Sequence, residues 1–376
     1  MQIAAVIGQL LRNAAAAAAA AGVILLACVT AMSQDADETI RVSTDIVDVP
    51  VTVLNAAGVA IRGLKASNFV IYEDGKRQKI SDFGTSAEPF EVALLLDTSG
   101  STRNDLNLIQ RAAREFISAL RHGDRVAIVS FRTVRTDRDA YSEPELIQPL
   151  SDDRTALNSA IDRVATSNST PYYDAMSLIA EKVFAAAPEE RFRGRRAVVA
   201  LTDGVDSSSA LEFEDVAEKF SSEGLMAFFI EVDTREFFES NLLGDCRTAT
   251  KFSAAQIRRY YRGVATKPGM EKAANFCQLG DFERLAISKG LYGLANRQMN
   301  DLAKASGGRV FPAGDLRDAR NAFKLVADEI GTKYTLSYYP TNENRDGKYR
   351  KITIETVGLP KGTVVRAREG YQAPKN

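Results

Sequence analysis

The chain has 376 residues, 45% of them hydrophobic, enough for two or three domains with real apolar cores, and this excludes a disordered chain. Its 48 basic and 49 acidic residues leave a net charge of −1, so nothing global points to nucleic acid or to an anionic membrane surface. Trp is absent and His122 is the single histidine, so a Ser-His-Asp triad, a zinc protease or a histidine general acid would have to run through that one residue.

In chain order, residues 1 to 34 read as a targeting segment. Arg12 is the only charge before an Ala-rich apolar stretch from Ala14 to Met32, followed by Gln34 and Asp35. Three fates compete: cleavage after Ala31-Met32-Ser33, lipidation at Cys28 in the lipobox-like Leu25-Leu26-Ala27-Cys28, or retention as an anchor. In each the protein leaves the cytoplasm for the periplasm, the cell envelope or the medium. If Cys28 is removed or lipidated, Cys246 and Cys277 remain, a pair that an oxidising compartment would join. Loop closure there would contribute roughly 3–4 kcal/mol. Two free buried thiols are the alternative.

Residues 40 to 89 predict β structure. Val47, Val49, Val51 and Val53 alternate with Asp48, Pro50 and Thr52, which implies one buried and one wet face. Phe69 to Tyr72, an Asp74-Gly75 turn and Gln78 to Phe83 supply further strands. These are too few to close a sandwich. The missing strands are expected at the other end of the chain, at Tyr334 to Tyr339, Arg350 to Val357 and Thr363 to Ala367. Both flanks, 40–89 and 333–376, are therefore expected to build one Ig-like β-sandwich around the domain between them, with two independent β modules as the alternative. Asn342-x-Asn344-x-Asp346-Gly347 superficially matches a Ca²⁺ loop, but its first position is not Asp and Thr353 stands where the bidentate Glu belongs; it reads as a hairpin turn.

From 90 to 332 strands and helices alternate, the pattern of an α/β fold with a mainly parallel central sheet. Val92 to Leu96 is an unbroken apolar run, a strand buried on both faces, which ends in Asp97-Thr98-Ser99-Gly100-Ser101. Leu106, Ile109, Ala113, Phe116, Ile117 and Leu120 recur at helical spacing; His122-Gly123 closes that helix, the histidine as a cation near its C-terminus. Val126 to Phe131 is a second buried strand, an edge strand lies within Tyr141 to Leu150, and helices lie within Asp153 to Val164 and from Thr170 to Ala186. Ala197 to Leu201 carries Asp203 on its outgoing loop, and Leu225 to Val232 is the next strand. Residues 235–290, with both later cysteines, interrupt the pattern; Arg258-Arg259-Tyr260-Tyr261-Arg262 within them either docks a partner or packs on the body with its arginines solvated, the reading favoured here. The pattern resumes with a helix over Leu294 to Ala305, a stop at Gly307-Gly308, a short strand at Arg309 to Phe311 and a helix over Leu316 to Ile330.

Asp97-x-Ser99-x-Ser101, Thr170 in Ser-Thr-Pro-Tyr-Tyr-Asp and Asp203 in Leu-Thr-Asp-Gly stand in the order of the metal-ion-dependent adhesion site of von Willebrand factor type A (VWA) domains, which this constellation closely resembles. The resemblance implies a Rossmann-like VWA domain in which Ser99 and Ser101 bind the ion through their hydroxyls, Thr170 does so when ligand is engaged, and Asp97 and Asp203 act through bound water. Hard oxygen donors without Cys or His suit Mg²⁺, with Mn²⁺ or Ca²⁺ less selectively, and an open coordination position would take a partner's Asp or Glu. Asp174 and Asp206 are candidates to support those ligands, or else solvated loop and helix residues. A Ser-rich turn capping the next helix is the bland alternative for Asp97 to Ser101. Ile46-Val-Asp-Val-Pro-Val, Tyr-Glu-Asp-Gly-Lys, Tyr-Tyr-Pro-Thr-Asn and Arg-Glu-Gly-Tyr-Gln-Ala-Pro further resemble the VWFA-related family of acidobacterial secreted proteins, across nearly all of the chain but the Cys-containing insertion.

The sequence thus predicts an exported, non-enzymatic binding protein that captures a carboxylate of a protein partner through a Mg²⁺ site, touching a membrane only through its signal, a lipid or an N-terminal anchor. A scaffold subunit of an envelope assembly, whose metal stabilises the fold, is the alternative. A metal-dependent hydrolase is a third reading, weakened because no second Asp stands two residues after Asp97.

Overall fold

The computed structural model describes residues 46–99, 106–137, 139–263 and 276–375. The targeting segment, Cys28 and Ser101 lie outside them.

Four strands precede the α/β domain: β1 (Val47–Leu54), β2 (Phe69–Glu73), β3 (Lys76–Gln78) and β4 (Ile80–Gly84). Four follow it: β11 (Tyr334–Tyr338), β12 (Tyr349–Thr356), β13 (Val364–Ala367) and β14 (Gly370–Gln372). They interleave in two antiparallel sheets, β13-β1-β11-β4 and β14-β12-β2-β3, so each sheet draws on both ends of the chain. Val49, Val51, Phe69, Ile71, Leu336 and Ile352 meet in one core between them. Glu73 is buried there and accepts hydrogen bonds from the hydroxyls of Tyr338 (2.8 Å) and Tyr371 (2.9 Å), which satisfies its desolvated carboxylate.

Two expectations for these strands change. The polar face of β1 is not wet: Thr52 is fully buried and Asp48 half-buried, because that face lies against the α/β domain. Lys333 Nζ donates to Thr52 Oγ1 (2.9 Å) and to the carbonyl of Gly307 (2.8 Å), and Arg193 approaches Asp48. Burial pushes the Lys333 ammonium down to about 8, only partly opposed by Glu329. The stretch 342–347 is not a hairpin turn either, since β11 and β12 belong to different sheets and the loop crosses between them. Asp346 there accepts from Arg350 Nη2 at 3.1 Å, so its carboxylate is engaged by a guanidinium and not arranged for calcium. The Asp74-Gly75 turn forms as predicted, with φ of 48° and 79° at its two residues, the left-handed values that a two-residue hairpin needs.

Between the flanks lies a six-stranded sheet in the order β10-β9-β8-β5-β6-β7. Its strands are β5 (Glu91–Leu96), β6 (Arg125–Arg135), β7 (Ala140–Ser151), β8 (Arg196–Thr202), β9 (Met226–Val232) and β10 (Arg309–Ala313). All neighbours run parallel except β6 and β7. Every residue of β5 and β8 is buried, which is why their sequences are nearly continuous in apolar residues. Helix α1 (Leu106–Ala119) covers one face through Ile109, Ala113, Phe116 and Ile117. Helix α2 (Arg154–Asp162) starts at Asp153, whose carboxylate accepts the amides of Thr155 and Ala156, and α3 (Tyr172–Leu178) packs on the other face. Helix α4 (Phe213–Glu223) joins β8 to β9 and stops at Gly224 in the left-handed region.

The segment after β9 forms α5 (Arg235–Ser240) and α6 (Ala254–Gly263) before the long α7 (Asp281–Ser306), with α8 (Ala319–Ile330) last. Helix α7 begins thirteen residues before the expected Leu294, because Gly290 and Gly293 sit inside it without breaking it. A helical glycine costs only about 1 kcal/mol and the flanking helix formers absorb it. The expected stop at Gly307-Gly308 is real, and Gly308 is required for space. A methyl group there would fall 1.9 Å from the carbonyl oxygen of Ala227 on β9. Gly308→Ala is therefore expected to destabilise by about 2–3 kcal/mol, read as a lower urea midpoint at unchanged slope; a shift within error would show that β10 can move away freely.

Candidate functional site

The strand order reverses between β5 and β8: β5 leads on to β6 on one side, and β8 continues the sheet on the other. Open α/β sheets place their ligands at such a switch point, beyond the carboxyl ends of the strands. Asp97 follows β5 directly and its amide donates to the carbonyl of Leu201 (3.0 Å), while Asp203 follows β8. The two expected carboxylates thus emerge side by side.

Asp97 is buried, 2% exposed. It accepts from the amide of Ser99 (3.1 Å) and from Thr202 Oγ1 (2.8 Å). Asp203 is half-buried and accepts from the Val205 amide (2.9 Å) and Thr234 Oγ1 (2.5 Å), and Thr234 in turn bonds the Tyr292 hydroxyl of α7 (2.8 Å). Burial, then the charge of Asp97, pushes the Asp203 carboxyl up to about 7; burial likewise raises Asp97. Among the described residues no lysine or arginine forms an ion pair with Asp203, and the charges nearest it, Asp97 and Asp233, are both negative. Two adjacent carboxylates beside the Ser99 and Thr170 hydroxyls are a donor set that fits a hard dication.

Thr170 is buried at the foot of α3 and is locked to the Asp203 loop by two bonds: its amide donates to Ser207 Oγ (2.7 Å) and its carbonyl accepts from the Ser207 amide (3.0 Å). Asp206 and Asp174 are the fasteners of this junction, the first buried and the second half-buried. Asp206 accepts the amides of Tyr172 (2.9 Å) and Tyr173 (3.3 Å) at the start of α3; Asp174 accepts those of Ala210 and Leu211, both at 3.0 Å.

The site also uses residues that the sequence reading did not find. Arg259, expected in solvent, is buried on α6 and donates to Asp206 Oδ1 (2.9 Å) and Glu212 Oε2 (3.1 Å), with its guanidinium over the Tyr173 ring at 4.9 Å. Its spacing from buried Gln256 and Ile257, on the inner face of α6, was the available signal. Thr234 and Tyr292 come from beyond β9 and from α7, too far apart in sequence for any motif to join them. His122, by contrast, is exposed after α1, as expected, and does not line the site.

Residues 235–290 are where the chain departs most from a bare α/β sheet. Cys246 and Cys277 form a disulfide, Cα atoms 5.2 Å apart. Around it Leu242, Phe252, Ile257, Phe276 and Leu291 make a separate small core, with Val205 of the Asp203 loop packed against it. This unit stands over the carboxylates and turns the sheet edge into a cleft of about 440 Å³, with Ser99, Thr170 and Asp203 at its base. No cluster of three or more His, Cys, Asp or Glu side chains suited to a metal occurs among the described residues.

A family model for the von Willebrand factor type A domain matches residues 91–286, just over half of the chain. The chain belongs to the von Willebrand factor type A family. No curated protein matches it significantly by sequence. Solved structures similar in fold include proximal thread matrix protein 1 from the mussel byssus, at 14% identity over 72% of this chain and 51% of that one, TM-score 0.42. Here the chain spans about half the length of the mussel protein. A von Willebrand factor type A protein from Catenulispora acidiphila is similar at 11% identity over 88% of this chain and 74% of that one, TM-score 0.40. The vWF domain of the type V pili tip protein Mfa5 from Porphyromonas gingivalis is similar at 18% identity over 32% and 39%, TM-score 0.25. VWA domains mediate protein–protein interactions, and the Asp97–Asp203 edge is the C-terminal edge of the VWA sheet in this chain.

Proposed function

We propose that the protein is an exported binding module that captures an acidic side chain of a protein partner through a divalent cation held at the VWA sheet edge. Ser99 and Thr170, with Ser101, would hold Mg²⁺ through hydroxyls, and Asp97 and Asp203 through bound water. The ion supplies an electrophilic position that a partner's Asp or Glu can fill. The observation that carries this reading is the Asp203 carboxylate, beside Asp97 and without an ion-paired lysine or arginine among the described residues, lining one cleft with Ser99 and Thr170. Asp206, Asp174 and Arg259 keep the Thr170 and Asp203 loops in register, so these two donors are held before the ion arrives. Binding suits a site whose two carboxylates are held in place by neighbouring groups, Asp97 by Ser99 and Thr202 and Asp203 by Val205 and Thr234.

Export is supported by the disulfide, which persists in oxidising compartments. Among the described residues no helix is long and apolar enough to cross a membrane.

Isothermal titration of Mg²⁺ and Mn²⁺ into the wild type and into Ser99→Ala tests the metal. Saturable binding to the wild type, weakened at least about tenfold in a folded Ser99→Ala protein, is expected. Absence of binding to folded wild type would remove the adhesion mechanism and favour a scaffold role.

A further inference from the structure

We infer that the disulfide-stapled wall over the metal site reads the residue beside the captured carboxylate, so that the ligand is a peptide segment with Asp or Glu next to an aromatic or large aliphatic residue. This rests on the metal-dependent reading above and names the ligand of that same cleft.

The base and the wall of the cleft differ in chemistry. At the base stand Ser99, Thr170 and Asp203, suited to a cation and its carboxylate. The wall presents Phe237, Phe238, Phe252 and Leu291, with Lys251 on its rim. The two inner rings are immobilised: Phe252 lies 5.2 Å from Phe238 and 6.0 Å from Phe276, inside the small core that the disulfide closes. Arg284 adds two bonds to that unit, donating to the carbonyls of Leu242 (3.2 Å) and Gly244 (3.0 Å). Phe237 is instead 47% exposed at the mouth, a large apolar ring in water that a neighbouring side chain would cover.

Charge points the same way. Lys251 is exposed on the rim and forms no ion pair with any described carboxylate, so its ammonium remains to attract an anionic segment. An acidic peptide is therefore drawn in from the rim and held at the base. Its flanking residue lies against Phe237 and Phe238. The volume, about 440 Å³, falls in the range of sites that enclose a compact ligand and leaves room for the acidic residue and one large neighbour. The inner part of the wall, Phe238 and Phe252, is packed before the ligand arrives, which lowers the ordering cost of binding there.

Random heptapeptides displayed on phage are selected on the disulfide-bonded protein in millimolar Mg²⁺, and the enriched sequences are synthesised and titrated. The expected result is Asp or Glu directly beside Phe, Tyr, Leu or Ile, with release by EDTA. Lys251→Glu and Phe237→Ser, both at exposed positions and so compatible with folding, should each weaken binding about tenfold while Mg²⁺ affinity stays at the wild-type value. Acidic peptides released by EDTA but indifferent to the neighbouring residue and to both substitutions would leave the metal reading standing and overturn the role of the wall. Apolar peptides indifferent to EDTA and to Ser99→Ala would overturn the metal reading and the acidic part of the inference with it. Failure to enrich any peptide above an EDTA-treated control, by a protein that binds Mg²⁺, would show that the cleft does not read peptides.

Discussion

Asp203→Asn is expected to make chelator-treated protein more stable by about 2 kcal/mol near pH 8 and to abolish the further stability that the wild type gains from Mg²⁺. The carboxyl of Asp203 is raised from its ordinary 3.8 to about 7 by burial and by Asp97, so folding favours its protonated form. Such a group contributes stability that is fully present below pH 3.8 and is lost as pH rises through about 7. At pH 8 the metal-free wild type therefore holds an unfavourable charge that Asn lacks. The full difference would exceed about 4 kcal/mol at 1.36 kcal/mol for each pH decade, but Asp203 is reached by water on one side and half that figure is the better expectation. Asn fits the hydrogen bonds: its carbonyl can accept from Val205, and its amide can donate to Thr234 if Thr234 then donates to Tyr292. Urea unfolding in EDTA at pH 8 and pH 5 checks this, with the difference falling to less than half at the lower pH, because the unfolded carboxyl ionises from 3.8 upward. In saturating Mg²⁺ the order should invert, because an ion that binds only the folded state stabilises it by about 2.7 kcal/mol at a hundred times its Kd. Equal stabilities in EDTA at both pH values would show that Asp203 carries no buried charge.

Arg195→Ala is expected to cost about 3–5 kcal/mol and to split unfolding into two transitions. Arg195 is fully buried at the junction of the VWA domain with the flanking sheets. Its guanidinium donates to the carbonyls of Glu88 (2.8 Å), Pro89 (3.1 Å) and Lys333 (3.4 Å) and to Thr335 Oγ1 (3.4 Å), and lies 4.3 Å from the centre of the Phe90 ring. One side chain thus holds the strand-to-domain connections on both sides of the VWA domain. Truncation leaves buried carbonyls without donors and a cavity beside Phe90. Arg195→Met, which keeps the apolar stem but not the donors, separates these losses. Calorimetry showing one transition in all three proteins, with little change in midpoint, would mean that the junction is held by apolar packing alone.

Much of this architecture was legible because burial on both faces leaves an unmistakable mark. Val92 to Leu96 and Ala197 to Leu201 could be placed in a central sheet on composition, and the polar residues just after them followed to its edge. What escaped depended on contacts between distant residues. The alternation in β1 was read correctly as β structure, yet Thr52 and Asp48 face a second domain, so polarity there signals Lys333 and Arg193 as partners instead of water. Arg259 escapes the sequence for the same reason: one charged residue on a helix looks exposed until its carboxylates, Asp206 and Glu212, are brought to it from another part of the chain. The helix expected from Leu294 starts earlier, because packing of Ile287, Leu291 and Ala295 carries α7 through Gly290 and Gly293.

The interleaving of the two flanking sheets also sets when folding can finish. Val47 pairs with Tyr338 and Thr356 with Phe69, so strands made early have hydrogen-bond partners that are synthesised only after the whole VWA domain. The VWA domain between them needs neither end to complete its own sheet. It is expected to form first and to bring Gly84 and Thr335, paired neighbours on either side of it, into register. A chain cut short before β12 leaves the edge of β2 open, and one lacking β11 leaves β1 open to any strand it meets. The topology thereby discriminates against early truncation: only a chain made through β14 can close both sheets and conceal its own early edges.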